Sequence, residues 1–295
     1  MSKHVGGQAV IEGVMMRKEN KVATAVRLQN GKIKIKKDRL KKRGKFWKIP
    51  FFRGVIALWD MLFIGVKTLL WSADQQLDKH EKITKKDTII TLIIAFIVGI
   101  LLFKALPYLL TSLFGLKESK TPVLFNIIDG GIRGLIVLSY IFIISRMKDI
   151  GTIFRYHGAE HKSIYCYESG KKLTIDNIKK FSTKHPRCGT SFILLVLIIS
   201  IFVFSVLSPI VRIVYAGFLD LSFFIQIVIL FPLRILFIPV IAGISYEILK
   251  LTAKFPKNII VRILAKPGLL MQRITTKEPN KKQIEVAIKA LKSVL

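Results

Sequence analysis

Hydrophobic positions along this chain change period several times, and each change marks an element. From Val22 to Gln29 and from Lys32 to Lys36 apolar and polar residues alternate, the period-two signature of paired strands. Asn30-Gly31 lies between them, the dipeptide a type I′ turn requires, so a β-hairpin is predicted. Residues 6–17, Gly-Gly-Gln-Ala-Val-Ile-Glu-Gly-Val-Met-Met-Arg, predict a short strand or turn where backbone approaches another group closely. Phe51 to Trp71 is apolar but interrupted, with Arg53, Asp60, Lys67 and Asp74 recurring every seven residues on one helical stripe. A single polar stripe beside Trp59 and Trp71 predicts an interfacial or bundle-packed helix. Four longer runs, about 88–114, 124–146, 191–211 and 223–247, are apolar enough to cross a bilayer. The last of them carries Arg234 between Pro232 and Pro239, where a break or kink is expected. Further on, Thr174 is placed to cap a short helix over Ile175 to Phe181, and Pro267-Gly268 to turn the chain. Asn280 is placed to cap an amphipathic helix with Ile284, Ala287, Ile288 and Leu291 on one face.

Charge then orients this pattern. The 295 residues are 52% hydrophobic, yet carry 48 Lys+Arg against 18 Asp+Glu, a formal charge of +30. With four spans and both termini on the cytoplasmic side, 42 of the 48 basic residues fall in the cytoplasm, as the positive-inside bias requires. A fifth span at 54–71 would turn the basic 146–190 loop outward, so four spans are predicted. The fold class is thus a mainly α-helical polytopic membrane protein, with four transmembrane helices, a small N-terminal β-hairpin region and cytoplasmic helices. Its expected divisions are a basic β-rich segment (1–50), an interfacial or bundle-packed helix (51–87), a membrane domain with cytoplasmic loop 147–190 (88–249) and a helical tail (250–295). Lys32, Lys34 and Lys36 line one face of the second strand, and Lys41, Lys42 and Arg43 extend the run. Such a face suits water or the anionic lipid headgroups of a bilayer, or a membrane-associated protein partner; nucleic acid is not expected as a direct ligand. Two cysteines, Cys166 and Cys188, do not make a disulfide framework.

Candidate chemistry is concentrated in Tyr156-His-Gly-Ala-Glu-His-Lys162. On a helix, His157 and His161 lie one turn apart and can hold one divalent metal, with Glu160 between them as a general base. The order His-x-x-Glu-His is the inverted form of the zinc-protease motif. Zinc would need a further ligand. Glu247, at the cytoplasmic end of the fourth span, is the expected third ligand and would leave a position open for water, whereas His185 with Cys188 would instead close the site as a structural one. Glu12 is a further acid that could line it. Within the spans, Asp129 and Arg133 are spaced to pair.

Four stretches, residues 6–17, 156–162, 185–192 (His-Pro-Arg-Cys-Gly-Thr-Ser-Phe) and 267–279 (Pro-Gly-Leu-Leu-Met-Gln-Arg-Ile-Thr-Thr-Lys-Glu-Pro), occur in order along nearly the whole chain. They resemble the YqhQ-like family of uncharacterised bacterial membrane proteins. That resemblance implies a bacterial inner-membrane protein, described in that family as a predicted metal-dependent enzyme. A metal-dependent hydrolase is therefore the leading expectation. A non-enzymatic scaffold, binding anionic lipid or membrane-protein biogenesis partners, is the alternative, and a transporter ranks third.

Overall fold

The computed structural model describes residues 5–41, 44–77, 84–118 and 120–295. Four strands, β1 (Gly6–Val10), β2 (Gly13–Lys18), β3 (Lys21–Arg27) and β4 (Ile33–Arg39), form an antiparallel meander in sequence order. Among the described residues ten α-helices follow: α1 (Phe52–Asp74), α2 (Lys85–Ile100), α3 (Leu106–Leu113), α4 (Pro122–Ile144), α5 (Lys148–Glu168), α6 (Ile175–Lys179), α7 (Gly189–Val214), α8 (Phe223–Lys254), α9 (Ile259–Thr275) and α10 (Lys281–Lys292). A π turn at Leu101–Ala105 joins α2 to α3.

Strand alternation sorts the sheet residues between two cores. Val14, Met16, Ala23 and Ala25 point to one face and pack with Tyr156 of α5 and Ile284, Ala287 and Leu291 of α10. Val10, Met15, Val22 and Val26 point to the other and meet Ile64 and Trp71 of α1. The sheet is thus a middle layer, with α1 on one side and α5 and α10 on the other. The N-terminal strands, the 147–190 segment and the C-terminal tail, far apart in sequence, form one cap.

Several local expectations need correction. The β3–β4 connection is not a type I′ turn, because Gly31 (φ 79) is left-handed and Asn30 is not. Leu28 and Lys32 instead close a three-residue loop, whose last residue takes the left-handed conformation glycine tolerates. Pro267 and Gly268 do not turn the chain but lie inside α9. Gly268 is there for close approach, since a Cβ would stand 2.5 Å from Ser191 Oγ. The face it shares with Met271, Gln272 and Thr275 is buried, and that packing outweighs the hydrogen bond Pro267 cannot make. Helix α8 likewise runs unbroken through Pro232 and Pro239. The lysine face of β4 does not simply meet water: Lys34 Nζ donates to Gln75 Oε1 at 2.7 Å and Lys36 covers the Trp71 ring. Lys32 and Lys41 are exposed, while Lys42 and Arg43 lie outside the described residues.

Among the described residues, five helices rather than four are long and apolar enough to cross a membrane: α1, the α2–α3 pair, α4, α7 and α8. The addition is α1, whose polar stripe is spaced seven apart and leaves the remaining surface apolar. That stripe is fully used: Arg53 pairs with Glu247, Asp60 with Arg17 at 2.6 Å and Lys67 with Asp38 at 4.0 Å, while Asp74 accepts from Gln75. Helices α4, α7 and α8 pack side by side as antiparallel neighbours. The caps on the later helices are as expected, with Thr174 accepting from Asn177 N, and Asn280 and Gln283 forming a capping box.

Candidate metal centre

Helix α5 carries the His-x-x-Glu-His run almost entirely buried: His157, Glu160, His161 and Lys162 are each exposed by less than a tenth. A helix can be buried this deeply on its polar side only if each polar group finds a partner. Lys162 does so through Glu278 and the Lys179 carbonyl. His157 Nδ1 lies 2.8 Å from the Thr275 carbonyl, and His161 Nδ1 is hydrogen-bonded to the Thr183 carbonyl. A carbonyl oxygen only accepts, so each imidazole donates from Nδ1 and presents Nε2 as a free lone pair.

His157 Nε2 meets a thiol, and His161 brings a second ring nitrogen close to it. His157 Nε2 is 3.2 Å from Cys188 Sγ, and one ligand atom from each of His157, His161 and Cys188 lies within 4.8 Å of the others. A tetrahedral ion with ordinary zinc bond lengths would set nitrogen and sulfur about 3.6 Å apart, so small adjustments would seat a metal among the three. Carbonyls orienting both imidazoles from behind are the outer shell that metal-binding histidines ordinarily have. Cys188 also lies 3.0 Å from Thr190 Oγ1.

Close approach by the backbone makes this possible. A Cβ on Gly158 would stand 2.1 Å from the Lys277 carbonyl oxygen, so only glycine lets α5 meet the chain where it leaves α9, beside the Thr275 carbonyl. Gln272 holds the other wall, accepting from His185 N at 2.7 Å and donating to His185 O and Ser191 Oγ. Both arms fix the loop from which Cys188 projects. Gln272 lies in the 267–279 stretch singled out from sequence, although its clamping role there was not foreseen.

Glu160 sits on the same helix but faces β1, where its carboxyl packs against Gly7: a Cβ there would come 2.7 Å from Oε1. Burial pushes its carboxyl up to about 7, with His157 pulling the other way. The other residues singled out from sequence are elsewhere. Glu247 accepts from Arg53 and from Phe51 N, tying α1 to α8, and does not join the two imidazoles; Cys188 takes that place. Which segment returns to α5, the end of α8 or the loop before α7, is a tertiary fact, and it is the loop bearing Cys188. Glu12, at φ 50 in the β1–β2 turn, accepts from Tyr156 O–H at 3.1 Å. His185 accepts from Arg187 N and lies 3.8 Å from Glu168, with its ring against Tyr165. Burial lowers its pKa, with Glu168 pulling the other way. Burial would raise the Glu168 carboxyl, but its hydrogen bond with His185 and the adjacent Arg187 guanidinium outweigh that and hold it down to about 2.

Residues 49–295 match the family described as a protein of unknown function (DUF1385). The chain belongs to that family. It is 34% identical over 320 residues to the uncharacterized protein YqhQ of Bacillus subtilis (strain 168), an alignment covering 100% of this chain and 95% of that protein. No solved structure matches. The DUF1385 match includes every residue of the His157–His161–Cys188 group, together with Gln272 and Gly158.

Proposed function

We propose that this protein is a multi-pass membrane protein whose cytoplasmic cap binds one zinc-type divalent ion on His157, His161 and Cys188, and that it is a metal-dependent hydrolase. The observation that carries the reading is the arrangement of the two imidazoles: each spends Nδ1 on a backbone carbonyl, His157 Nε2 meets Cys188 Sγ, and a ring nitrogen of His161 lies within 4.8 Å of both. Three protein ligands leave a tetrahedral ion one position for water. A bound ion would lower the pKa of that water, and Glu160, with its carboxyl near 7, can hold or release the proton from the adjoining turn of α5. Thiolate is a soft ligand, favouring zinc over magnesium or calcium. Cobalt substitution tests the ligand set. Cobalt(II) added to the metal-free protein is expected to give a thiolate-to-metal charge-transfer band that Cys188→Ser abolishes. Unchanged spectra in the Ser variant would remove Cys188 from the site.

A four-span topology with the cap in the cytoplasm is part of this proposal. Both ends of α1 support it: Arg53 meets Glu247 near the basic end of α8, and Gln75 and Gln76 meet the β3–β4 hairpin. A helix held to the cap at both ends runs along the membrane rather than through it. Its outward residues Trp59, Leu62, Phe63, Val66 and Leu69 are exposed, whereas Asp60, Thr68 and Ser72 are buried, the inverse of a water-facing helix. Helix α9 repeats the arrangement with exposed Ile259, Ile260 and Ile263 beside Arg262 and Lys266. Lys32 and Lys41 would then contact anionic headgroups.

A scaffold is the second reading, and one observation favours it: every group of the centre is nearly sealed from solvent, as in closed structural sites. Under it the metal would lock α5 to the 183–190 loop, and the cap would present its basic face to a membrane-associated partner.

A further inference from the structure

At the end of the bundle away from the metal centre, α4, α8 and the π turn joining α2 to α3 assemble charge that the proposed function does not use. Arg133 pairs with Asp129 one turn away, and Arg234 Nη2 lies 3.2 Å from Glu118 Oε1, with its guanidinium 5.8 Å from the Phe204 ring. Asn126 Nδ2 adds a 3.4 Å contact to the same carboxylate, and Arg212 Nη2 donates to the Glu118 carbonyl at 2.6 Å. Lys104 is exposed on the π turn, which packs against α4, and makes no hydrogen bond or ion pair among the described residues.

Four cationic side chains, Lys104, Arg133, Arg212 and Arg234, are thus grouped at this end with two carboxylates, Asp129 and Glu118. Arg133 Nε and Arg234 Nε are buried and without partners, as is Asp129 Oδ1. With Arg133 paired to Asp129 and Arg234 to Glu118, the Lys104 charge is left over. Uncompensated charge on helices this apolar is costly, and it is retained where it pairs with something. A guanidinium is a planar donor matched to an oxyanion, Arg133 and Arg234 keep 19% and 21% of their side chains exposed, and an ammonium beside them adds a mobile point charge. Leu101, Leu109 and Leu135 are exposed around the cluster, so an anion with attached acyl chains can reach it from the side.

We propose that this end of the bundle binds one phosphate-type anion among Lys104, Arg133 and Arg234, supplied by the headgroup of a membrane phospholipid or by free phosphate. Native mass spectrometry of the full chain in detergent tests this, with phosphatidylglycerol, phosphatidylcholine and inorganic phosphate as probes. Lys104→Gln is the decisive variant, because its side chain is exposed and unpartnered and its loss leaves folding intact; Arg234→Gln is the second. Both are expected to weaken phosphatidylglycerol binding about fivefold, the effect of one basic residue at a membrane surface, with phosphatidylcholine unchanged. If inorganic phosphate displaces the lipid from the wild type but not from the variants, both sources share the site. If phosphate alone binds and is lost in the variants, the source is the free anion. Equal affinity of wild type and both variants for every probe overturns the proposal. So does an anionic preference that disappears only when Lys32, Lys34 and Lys36 are changed to Gln.

Discussion

Gly158→Ala is the sharpest single perturbation of the centre that leaves every ligand in place. The added Cβ would stand 2.1 Å from the Lys277 carbonyl oxygen, where ordinary contact begins at 3.4 Å, and that oxygen belongs to backbone. Helix α5 and the 275–277 segment must separate by about 1 Å, which costs about 1–3 kcal/mol of overpacking strain. Two hydrogen bonds cross the same gap, Lys277 N to Phe154 O at 2.9 Å and His157 Nδ1 to Thr275 O at 2.8 Å. Losing both costs about 2 kcal/mol more. The expected destabilisation is about 3–5 kcal/mol, and loss of the carbonyl behind His157 lowers metal affinity about 10–100-fold. Thermal unfolding in detergent and a competitive zinc titration measure the two effects. Gly134→Ala is the control, since nothing lies within 4 Å of its added carbon. A Gly158→Ala protein with wild-type melting and wild-type zinc affinity would refute the reasoning, because the backbone contact would then not be holding His157.

Three other outcomes follow from the same geometry. Glu168→Gln removes a carboxylate held down from 4.5 to about 2, worth about 3 kcal/mol in full and about 2 kcal/mol once its partial exposure is allowed for. Because the folded-state value lies below the unfolded one, that contribution is complete above about pH 4.5 and disappears as the pH falls toward 2. The difference in unfolding free energy between wild type and variant should shrink over that window, and a constant difference contradicts the ion pair. Glu160→Gln should retain metal under the hydrolase reading while losing turnover, whereas under the scaffold reading growth complementation survives it. Glu247→Ala should loosen α1 without altering metal content, read as faster proteolysis within residues 52–74; loss of metal would return Glu247 to the ligand set.

Much of this architecture can be read from periodicity. The long apolar runs, the Thr174 and Asn280 caps and the four-residue spacing of Asp129 and Arg133 are local facts, and each reappears in the structure. The heptad of Arg53, Asp60, Lys67 and Asp74 disclosed a polar stripe on α1, but not that Glu247, Arg17 and Asp38 from three other elements would meet it. Glycine was the most ambiguous signal. Gly268 marks a turn in isolation and proves to be a contact surface inside a helix, because an absent Cβ serves either purpose. At the centre itself, the spacing of His157 and His161 was sufficient to pair them, while the choice of Cys188 depends on Gln272 gripping the 185–191 loop across about ninety residues of chain. No local pattern carries that information.

Metal content of the detergent-purified protein tests the central claim most directly, with wild type compared to the His157→Ala/His161→Ala double variant by inductively coupled plasma mass spectrometry. About one zinc per chain in the wild type, lost from the variant, is the predicted result. Metal absent from both after zinc has been supplied, or equal in both, would contradict a centre built on His157, His161 and Cys188.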